Sequence, residues 1–205
     1  MSTKSNSTHS VSPNNPCPFL RALVAQGKLA DDTEPLAKVA SVIVEVAKGG
    51  DGSPVLPKAA IYGIAMIANG LGPFSVLNAN LGGVKLNALR DGPLDKHGVG
   101  SGILDSQGEI NKKELARLGE FASDKTDSSG KAEKGLSLPE LRAYMDANFA
   151  RAAGRRRLLD RQLMDGEWPI LLKVMGKSGK AGRYLSLKEV EELFVKQRLP
   201  KRMAS

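Results

Sequence analysis

The stretch Asn15-Pro16-Cys17-Pro18-Phe19-Leu20 contains the only cysteine of the chain, held between two prolines directly before an apolar helical segment. The prolines fix φ on both sides of Cys17 and remove two backbone donors, so the thiol lies on a stiff loop. If Pro18 occupies the first helical turn, the sulfur lies at the positive end of a helix dipole, which favours the thiolate. The pattern indicates metal ligation or nucleophilic chemistry at Cys17, and a small buried hydrophobic residue at a turn is the alternative.

Length and composition predict a single domain. The chain has 205 residues, 41% of them hydrophobic, which is enough for one substantial core. It contains no run of 18 apolar residues, and its polar, Ser- and Thr-rich beginning lacks the apolar region of a secretory signal. The sequence as given therefore predicts a cytoplasmic protein without a membrane partner, and secretion is the alternative if a signal segment has been removed. We expect a flexible N-terminal segment at residues 1–12, a domain at 13–200 and a C-terminal tail at 201–205.

The net charge of +8 raises the question of nucleic-acid binding. The densest basic run is Arg151-Ala152-Ala153-Gly154-Arg155-Arg156-Arg157, which is followed directly by two leucines. No helix-turn-helix, zinc-finger or stacking-aromatic pattern accompanies this run. It is therefore interpreted as a solvated helix face, and no nucleic-acid partner is predicted.

Hydrophobic periodicity predicts a mainly α fold. Residues 57–69 are apolar on nearly every side and are expected to be buried all round. Residues 70–102 are rich in Gly, Asn and Pro and are expected to be irregular around short helical turns at 84–89. We find no repeat of fixed period and no series of β-hairpins. Helices are predicted over residues 30–48, 57–69, 111–121, 138–153, 166–175 and 186–197.

Three separated segments carry a family resemblance. The first is Pro16-Cys17-Pro18 with the short helix, glycine turn and leucine that follow it; the second runs from Val84-Lys85-Leu86-Asn87-Ala88-Leu89 to Lys96-His97-Gly98-Val99. The third is Asp165-Gly166-Glu167-Trp168 with the closing Arg198-Leu199-Pro200. In this order and approximate spacing they resemble the haem-thiolate peroxidase family, which includes fungal chloroperoxidase and the unspecific peroxygenases. The resemblance covers roughly residues 13–200.

The resemblance implies a compact helical domain of the chloroperoxidase-like type around haem b. Cys17, held by Pro16 and Pro18, would be the axial ligand of the iron, and its thiolate would favour cleavage of the peroxide O–O bond. Glu167 would be the distal acid-base group, with Arg161 stabilising negative charge on the peroxide. The neighbours of Glu167 would desolvate it and raise its pKa. The implied activity is the oxidation or oxygenation of small organic substrates by hydrogen peroxide.

One departure from the family lies after His97-Gly98, where members carry a Glu-His pair that serves a divalent cation and the distal glutamate. This chain has no such pair. Ser101 and Asp105 are the candidates to take its place, and His97 is interpreted as structural. The resemblance therefore does not determine whether the protein binds a divalent cation, or whether it is active without the Glu-His pair.

A rival interpretation starts from the segment at residues 103–114, which has the central glycine, the following isoleucine and the terminal glutamate of a calcium EF-hand loop. Ile103 stands where the first carboxylate ligand belongs, and the segment at 124–130 fits the pattern less well. The alternatives are thus a non-enzymatic calcium-binding or scaffold protein, or a catalytically silent relative of the family. The substrate, the choice among halogenation, peroxidation and oxygen insertion, and the oligomeric state are not determined by the sequence.

Overall fold

The computed structural model describes residues 9–48, 57–70, 82–90, 92, 100–154 and 158–203. His97 and Arg155 to Arg157 lie outside the described residues. Within this part of the chain, no helix is both long enough and apolar enough to span a bilayer.

The prediction of a mainly α fold is wrong, because the helices are combined with two antiparallel sheets in a mixed α/β fold. Most predicted helices are present, and the one predicted at 166–175 is the second half of a longer helix that includes Pro169. The helices are α1 (Pro18–Ala25), α2 (Leu36–Lys48), α3 (Lys58–Ala68), α4 (Lys112–Glu120), α5 (Leu138–Arg151), α6 (Leu158–Met175) and α7 (Leu187–Lys196).

The strands were missed because they are short and polar and lack the alternation that indicates a half-buried strand. Residues 30–35, predicted as the start of a helix, instead contain a strand, because Glu34 is buried and pairs with Val84 across the smaller sheet. The turns predicted at 84–89 are a strand and the 3-10 turn Leu86–Ala88. The strands are β1 (Thr33–Glu34), β2 (Val84–Lys85), β3 (Ser123–Thr126), β4 (Ala132–Ser137), β5 (Lys177–Gly179) and β6 (Gly182–Ser186).

Two helix–hairpin–helix units form the C-terminal half. The first runs from α4 through the β3–β4 hairpin to α5, and the second from α6 through the β5–β6 hairpin to α7. Their second strands pair antiparallel, which gives one sheet in the order β3-β4-β6-β5. A Cβ on Gly135 of β4 would overlap the Tyr184 ring of β6, so glycine permits the close approach of the two strands.

A row of aromatic side chains runs through the core of this half. Phe121 at the end of α4 meets Tyr144 of α5 with ring centroids 5.4 Å apart. Tyr144 meets Trp168 of α6 edge-on at 5.6 Å, and Trp168 stacks on Phe194 of α7 at 6.3 Å. A continuous series of three ring contacts therefore links α4, α5, α6 and α7.

The N-terminal half packs on this core through α1, which contacts α7, while α3 packs against α2. The prediction that α3 is buried all round is wrong. Ile61 and Met66 are buried, but Ile64 is 38% exposed and nothing lies within 4 Å of a Cβ placed on Gly63. At the other end of the chain, Lys201–Met203 form a 3-10 turn whose methionine is fully buried.

Candidate functional site

Cys17 is the N-cap residue of α1, with extended backbone, and Pro18 lies in the first turn, as the sequence predicted. The thiol belongs to a half-buried residue that packs against the core, and Cys17 forms no disulfide. Its backbone N–H donates to the Asn15 side-chain Oδ1 at 3.3 Å. The thiol therefore lies at the N-terminal end of a helix on a loop held by an asparagine as well as by Pro16 and Pro18.

A buried arginine supports this loop. Arg21, one turn after Cys17, is 4% exposed and donates to the carbonyl oxygens of Ser12 and Asn15 at 2.8 and 3.2 Å. Burial lowers the pKa of Arg21, and the charge of Asp31 acts in the opposite direction. Arg21 Nε and Asn15 Nδ2 are buried donors that have no partner among the described residues. Arg21 was not predicted as a site residue, although a charged residue inside an apolar helical segment can indicate a buried charge.

The segment at 101–111 touches the loop of Cys17. The guanidinium of Arg21 donates to the carbonyl oxygen of Gly108 at 3.5 Å, and a Cβ on Gly108, whose φ is +74°, would lie 3.2 Å from that guanidinium. Asp105 uses one carboxylate oxygen to accept the backbone N–H groups of Gln107 and Glu109 at 2.8 and 2.9 Å. Asp105 therefore closes the turn that Arg21 contacts.

Ser101, the other candidate for the cation site, lies at the opposite end of this segment. Its carbonyl oxygen accepts the Tyr144 hydroxyl at 3.4 Å. Ser101 and Asp105 thus have different partners. The Ser101 carbonyl binds Tyr144, whereas the Asp105 carboxylate binds the backbone of its own turn. In the described part of the chain, no three His, Cys, Asp or Glu side chains lie close enough together to hold a metal ion.

Glu167 is half-buried on α6, beside the buried Trp168 that contacts Tyr144. Burial raises the pKa of Tyr144 to about 12; Asn148 and Arg117 work in the opposite direction, and the Glu167 carboxylate adds to the increase. Tyr144 is therefore protonated at neutral pH, and its hydroxyl donates to the Ser101 carbonyl.

Arg161 and Glu167 both belong to α6. Six residues along one continuous helix correspond to about 9 Å of rise and roughly 120° of rotation. The Arg161 guanidinium binds Asp146 at 2.6 Å, and the Asp146 side chain is 61% exposed. The role predicted for Arg161 stays a prediction, but its observed partner is a surface carboxylate.

A different arginine lies beside Tyr144. The Arg117 guanidinium carbon is 5.4 Å from the centroid of the Tyr144 ring and 5.9 Å from that of Phe121. Arg117 also donates to Oδ1 of Asn148, a residue only 3% exposed. Sequence reasoning missed both residues, since α4 and α5 are distant in sequence and neither position breaks its helical pattern.

The terminal glutamate of the EF-hand-like segment is already paired with a cation. Both carboxylate oxygens of Glu114 accept from Arg151, at 2.9 and 2.6 Å, and this hydrogen bonding lowers the pKa of Glu114. A guanidinium thus occupies the position where the glutamate would bind calcium. Arg151 is half exposed, consistent with the solvated face predicted for the basic run, and its partner is Glu114.

The helices of Cys17 and Glu167 share a neighbour. Helix α1 packs against α7, and Trp168, next to Glu167, stacks on Phe194 of the same α7. That the two residues face one cofactor stays a prediction. The chain matches no known family, no curated protein and no solved structure.

Proposed function

We propose that the protein is a haem-thiolate peroxidase or peroxygenase in which Cys17 is the axial ligand of haem b. The observation that carries this proposal is the position of Cys17 at the N-terminus of α1 between two prolines. A thiolate is stabilised at a helix N-terminus, and a thiolate is the form that ligates iron.

The residues around Cys17 fit an anionic ligand. Asn15 and Arg21 are both buried, and each holds a donor with no partner among the described residues. Arg21 is a buried cation one turn from Cys17. The charges of Asp31 and Glu109 already favour this guanidinium. A thiolate at Cys17 would favour it further, whereas a neutral thiol would not.

When bound, haem b would supply the iron that activates peroxide. Glu167 would accept a proton on a carboxylate oxygen and return it, a role that needs a partly desolvated carboxyl group. Its half-buried position, next in sequence to the buried Trp168, is compatible with that need. Hydrogen peroxide and a small, largely apolar organic molecule are the substrates.

The test is the absorption spectrum of protein produced with added haem, reduced and exposed to carbon monoxide. We expect a strongly red-shifted Soret band that Cys17→Ala abolishes, whereas Glu167→Gln keeps the band and loses peroxide-dependent turnover. Pro16→Ala is the matched control, because it changes the same loop and leaves the thiol in place.

The other outcomes separate the alternatives. Haem binding without turnover in the wild-type protein identifies a catalytically silent relative, and a colourless protein removes the enzyme interpretation in favour of a scaffold. Turnover that persists in Glu167→Gln contradicts the acid-base role.

A further inference from the structure

A cleft of about 420 Å³ lies beside the end of α1 and the start of α2. Its lining combines apolar side chains from α1 and from the turn that follows with the carboxylates of Asp31 and Glu34. Small-molecule sites have volumes of about 300–1,000 Å³ and likewise combine an apolar lining with a few polar groups. Cys17 is not among the described residues that line the cleft, so a ligand bound there does not depend on haem.

The floor of the cleft is apolar, and a histidine closes one side. Val24 and Leu29 are only 1% and 3% exposed. The backbone N–H of His9 donates to the Ala25 carbonyl at 3.3 Å. A Cβ on Gly27, whose φ is +68°, would lie 2.8 Å from His9 Nε2, so the glycine lets the imidazole lie against the turn. The cleft therefore has a wall next to an apolar surface.

Glu34 of β1 brings a buried carboxylate to the cleft. Its side chain is 4% exposed, and its Oε1 accepts the backbone N–H of Ala30 and the ammonium of Lys38, both at 2.6 Å. The Lys38 side chain is 51% exposed, and a pair with so exposed a partner is weakened by solvent. This wall of the cleft thus already binds an ammonium group, which a ligand could also supply.

Asp31 is the second carboxylate of the cleft, and its hydrogen bonding is incomplete. Its Oδ2 accepts the Ser12 N–H at 2.9 Å, whereas Oδ1 is a buried acceptor without a partner among the described residues. The charge of Arg21 acts on Asp31, but the Arg21 guanidinium donates to the carbonyl oxygens of Ser12 and Asn15. A buried carboxylate oxygen without a donor is unfavourable, so Asp31 favours a ligand that supplies one.

We propose that this cleft binds a small primary amine in its ammonium form, with the ammonium group at Asp31 and the apolar part of the molecule on Val24 and Leu29. Two carboxylates line the cleft against one ammonium, which disfavours an anion. His9, Asp31 and Glu34 line the same cleft but are not close enough together to hold a metal ion. An organic cation is the class of ligand that matches both the charge and the apolar surface.

His9 reports on the cleft, and the chain has only one other histidine, His97. The experiment follows the imidazole resonances of His9, assigned with His97→Gln, in the full-length protein without added haem. It is done at about pH 8, where an ordinary imidazole is neutral. Benzylamine is the probe, and sodium benzoate at equal ionic strength is the comparison with the opposite charge. We expect a saturable shift with benzylamine and none with benzoate.

Two neighbouring carboxylates supply a matched pair of variants. Asp31→Asn keeps the shape of the side chain and removes its charge, and it should weaken benzylamine binding at least tenfold. Asp32 is exposed and is not among the described residues that line the cleft, so Asp32→Asn should leave the binding unchanged. Equal weakening in the two variants would mean that general surface charge attracts the amine, and it would overturn the proposal.

A second pair of variants keeps the test decisive if Asp31→Asn fails to fold. Lys38→Met removes the ammonium that Glu34 binds, so a second carboxylate becomes available and benzylamine should bind at least threefold more tightly. Lys48→Met removes an exposed charge at the end of α2 and should leave the binding unchanged. Weaker binding in folded Lys38→Met, or no saturable shift in the wild-type protein, contradicts the site.

The cleft and the proposed haem site fail in different ways. Cys17→Ala should leave benzylamine binding unchanged, because Cys17 is not part of the described lining. Amine binding in a protein that takes up no haem would support the cleft and reject the proposed function. Haem binding in a protein that shows no saturable shift with benzylamine would do the reverse.

Discussion

The junctions β4–α5 and β6–α7 share a sequence pattern but hold it by different contacts. Leu136-Ser137-Leu138-Pro139-Glu140 and Leu185-Ser186-Leu187-Lys188-Glu189 both lead a strand into a helix. At the first junction, the Ser137 N–H donates to Glu140 at 2.6 Å in a capping box. At the second, Ser186 donates instead to Glu133 at 2.8 Å, and Glu189 binds Arg202.

At the second junction, contacts with tertiary neighbours therefore replace the local capping pattern. Glu133 of β4 reaches across the sheet to the buried Tyr184 and Ser186 of β6 and to Lys177. The Ser186 hydroxyl therefore donates to Glu133 in the sheet and not to Glu189. Glu189 in turn accepts from Arg202, near the end of the chain. At the first junction, the Ser137 hydroxyl donates to Glu140 of the helix that it caps.

Glu133→Ala should have the largest effect, because it removes the side-chain hydrogen bonds that join the two helix–hairpin–helix units. Burial works to raise the pKa of Glu133, but hydrogen bonds from Lys177, Tyr184 and Ser186 outweigh it and lower the pKa. Without the carboxylate, two buried hydroxyls lose their acceptor and the Lys177 ammonium keeps only Asp127, at 3.7 Å. We therefore expect a loss of about 2–4 kcal/mol in urea unfolding. Glu120→Ala, at an exposed position of α4, is the control. Equal losses in the two variants would contradict this account.

A smaller effect is expected from Glu140→Gln, which weakens the capping box of the first junction. Glu140 also accepts from Lys125 at 2.7 Å, in a pair whose side chains are 16% and 21% exposed. Loss of the charged cap and of this pair should cost about 1–2 kcal/mol in thermal or urea unfolding. Lys125→Met separates the two contributions, because it removes the pair and keeps the cap. A Glu140→Gln protein as stable as the wild type would show that the box is dispensable.

The same residue predicts a pH dependence. Burial opposes ionisation of Glu140, but hydrogen bonds from Lys125, Ser123 and Ser137 prevail and lower its pKa from 4.5 to about 2. Because the pKa is lower in the folded state, the stabilisation is complete above the unfolded value and is lost as the pH falls from about 4.5 towards 2. Unfolding of Glu140→Gln should therefore depend less steeply on pH in this window. Parallel curves for the two proteins would exclude Glu140 as a source of acid sensitivity.

The smallest effect is expected at the second junction. Glu189→Gln breaks the two-point contact between Glu189 and Arg202, whose side chains are 19% and 23% exposed, respectively. Arg202 keeps its hydrogen bond to the Met175 carbonyl. We expect a loss of about 0.5–1 kcal/mol that shrinks at 1 M salt. A loss larger than that of Glu140→Gln would reverse the comparison, and it would show that the C-terminal turn is essential to the unit.

In the candidate site, too, local contacts were predicted from the sequence and distant contacts were not. Cys17 and Pro18 were placed correctly at the start of α1, because a cap and a first-turn proline act within one helical turn. Arg161 was selected for its spacing from Glu167, but its observed partner, Asp146, is on another helix. Arg117 was missed, since its neighbours Tyr144 and Asn148 lie about thirty residues further along the chain and no local pattern links them.

Local sequence patterns predict where most of the helices begin and end, and they predict the stiff loop that holds Cys17, because these features depend on residues within a few positions of each other. Only the tertiary structure decided that polar segments such as Ser123–Thr126 become strands, since a short strand is stabilised by the partner it pairs with. For three glutamates, the cation that binds them also comes from a distant part of the sequence. Arg151, Lys125 and Arg202 reach Glu114, Glu140 and Glu189 from other elements, and the fold alone brings those elements together.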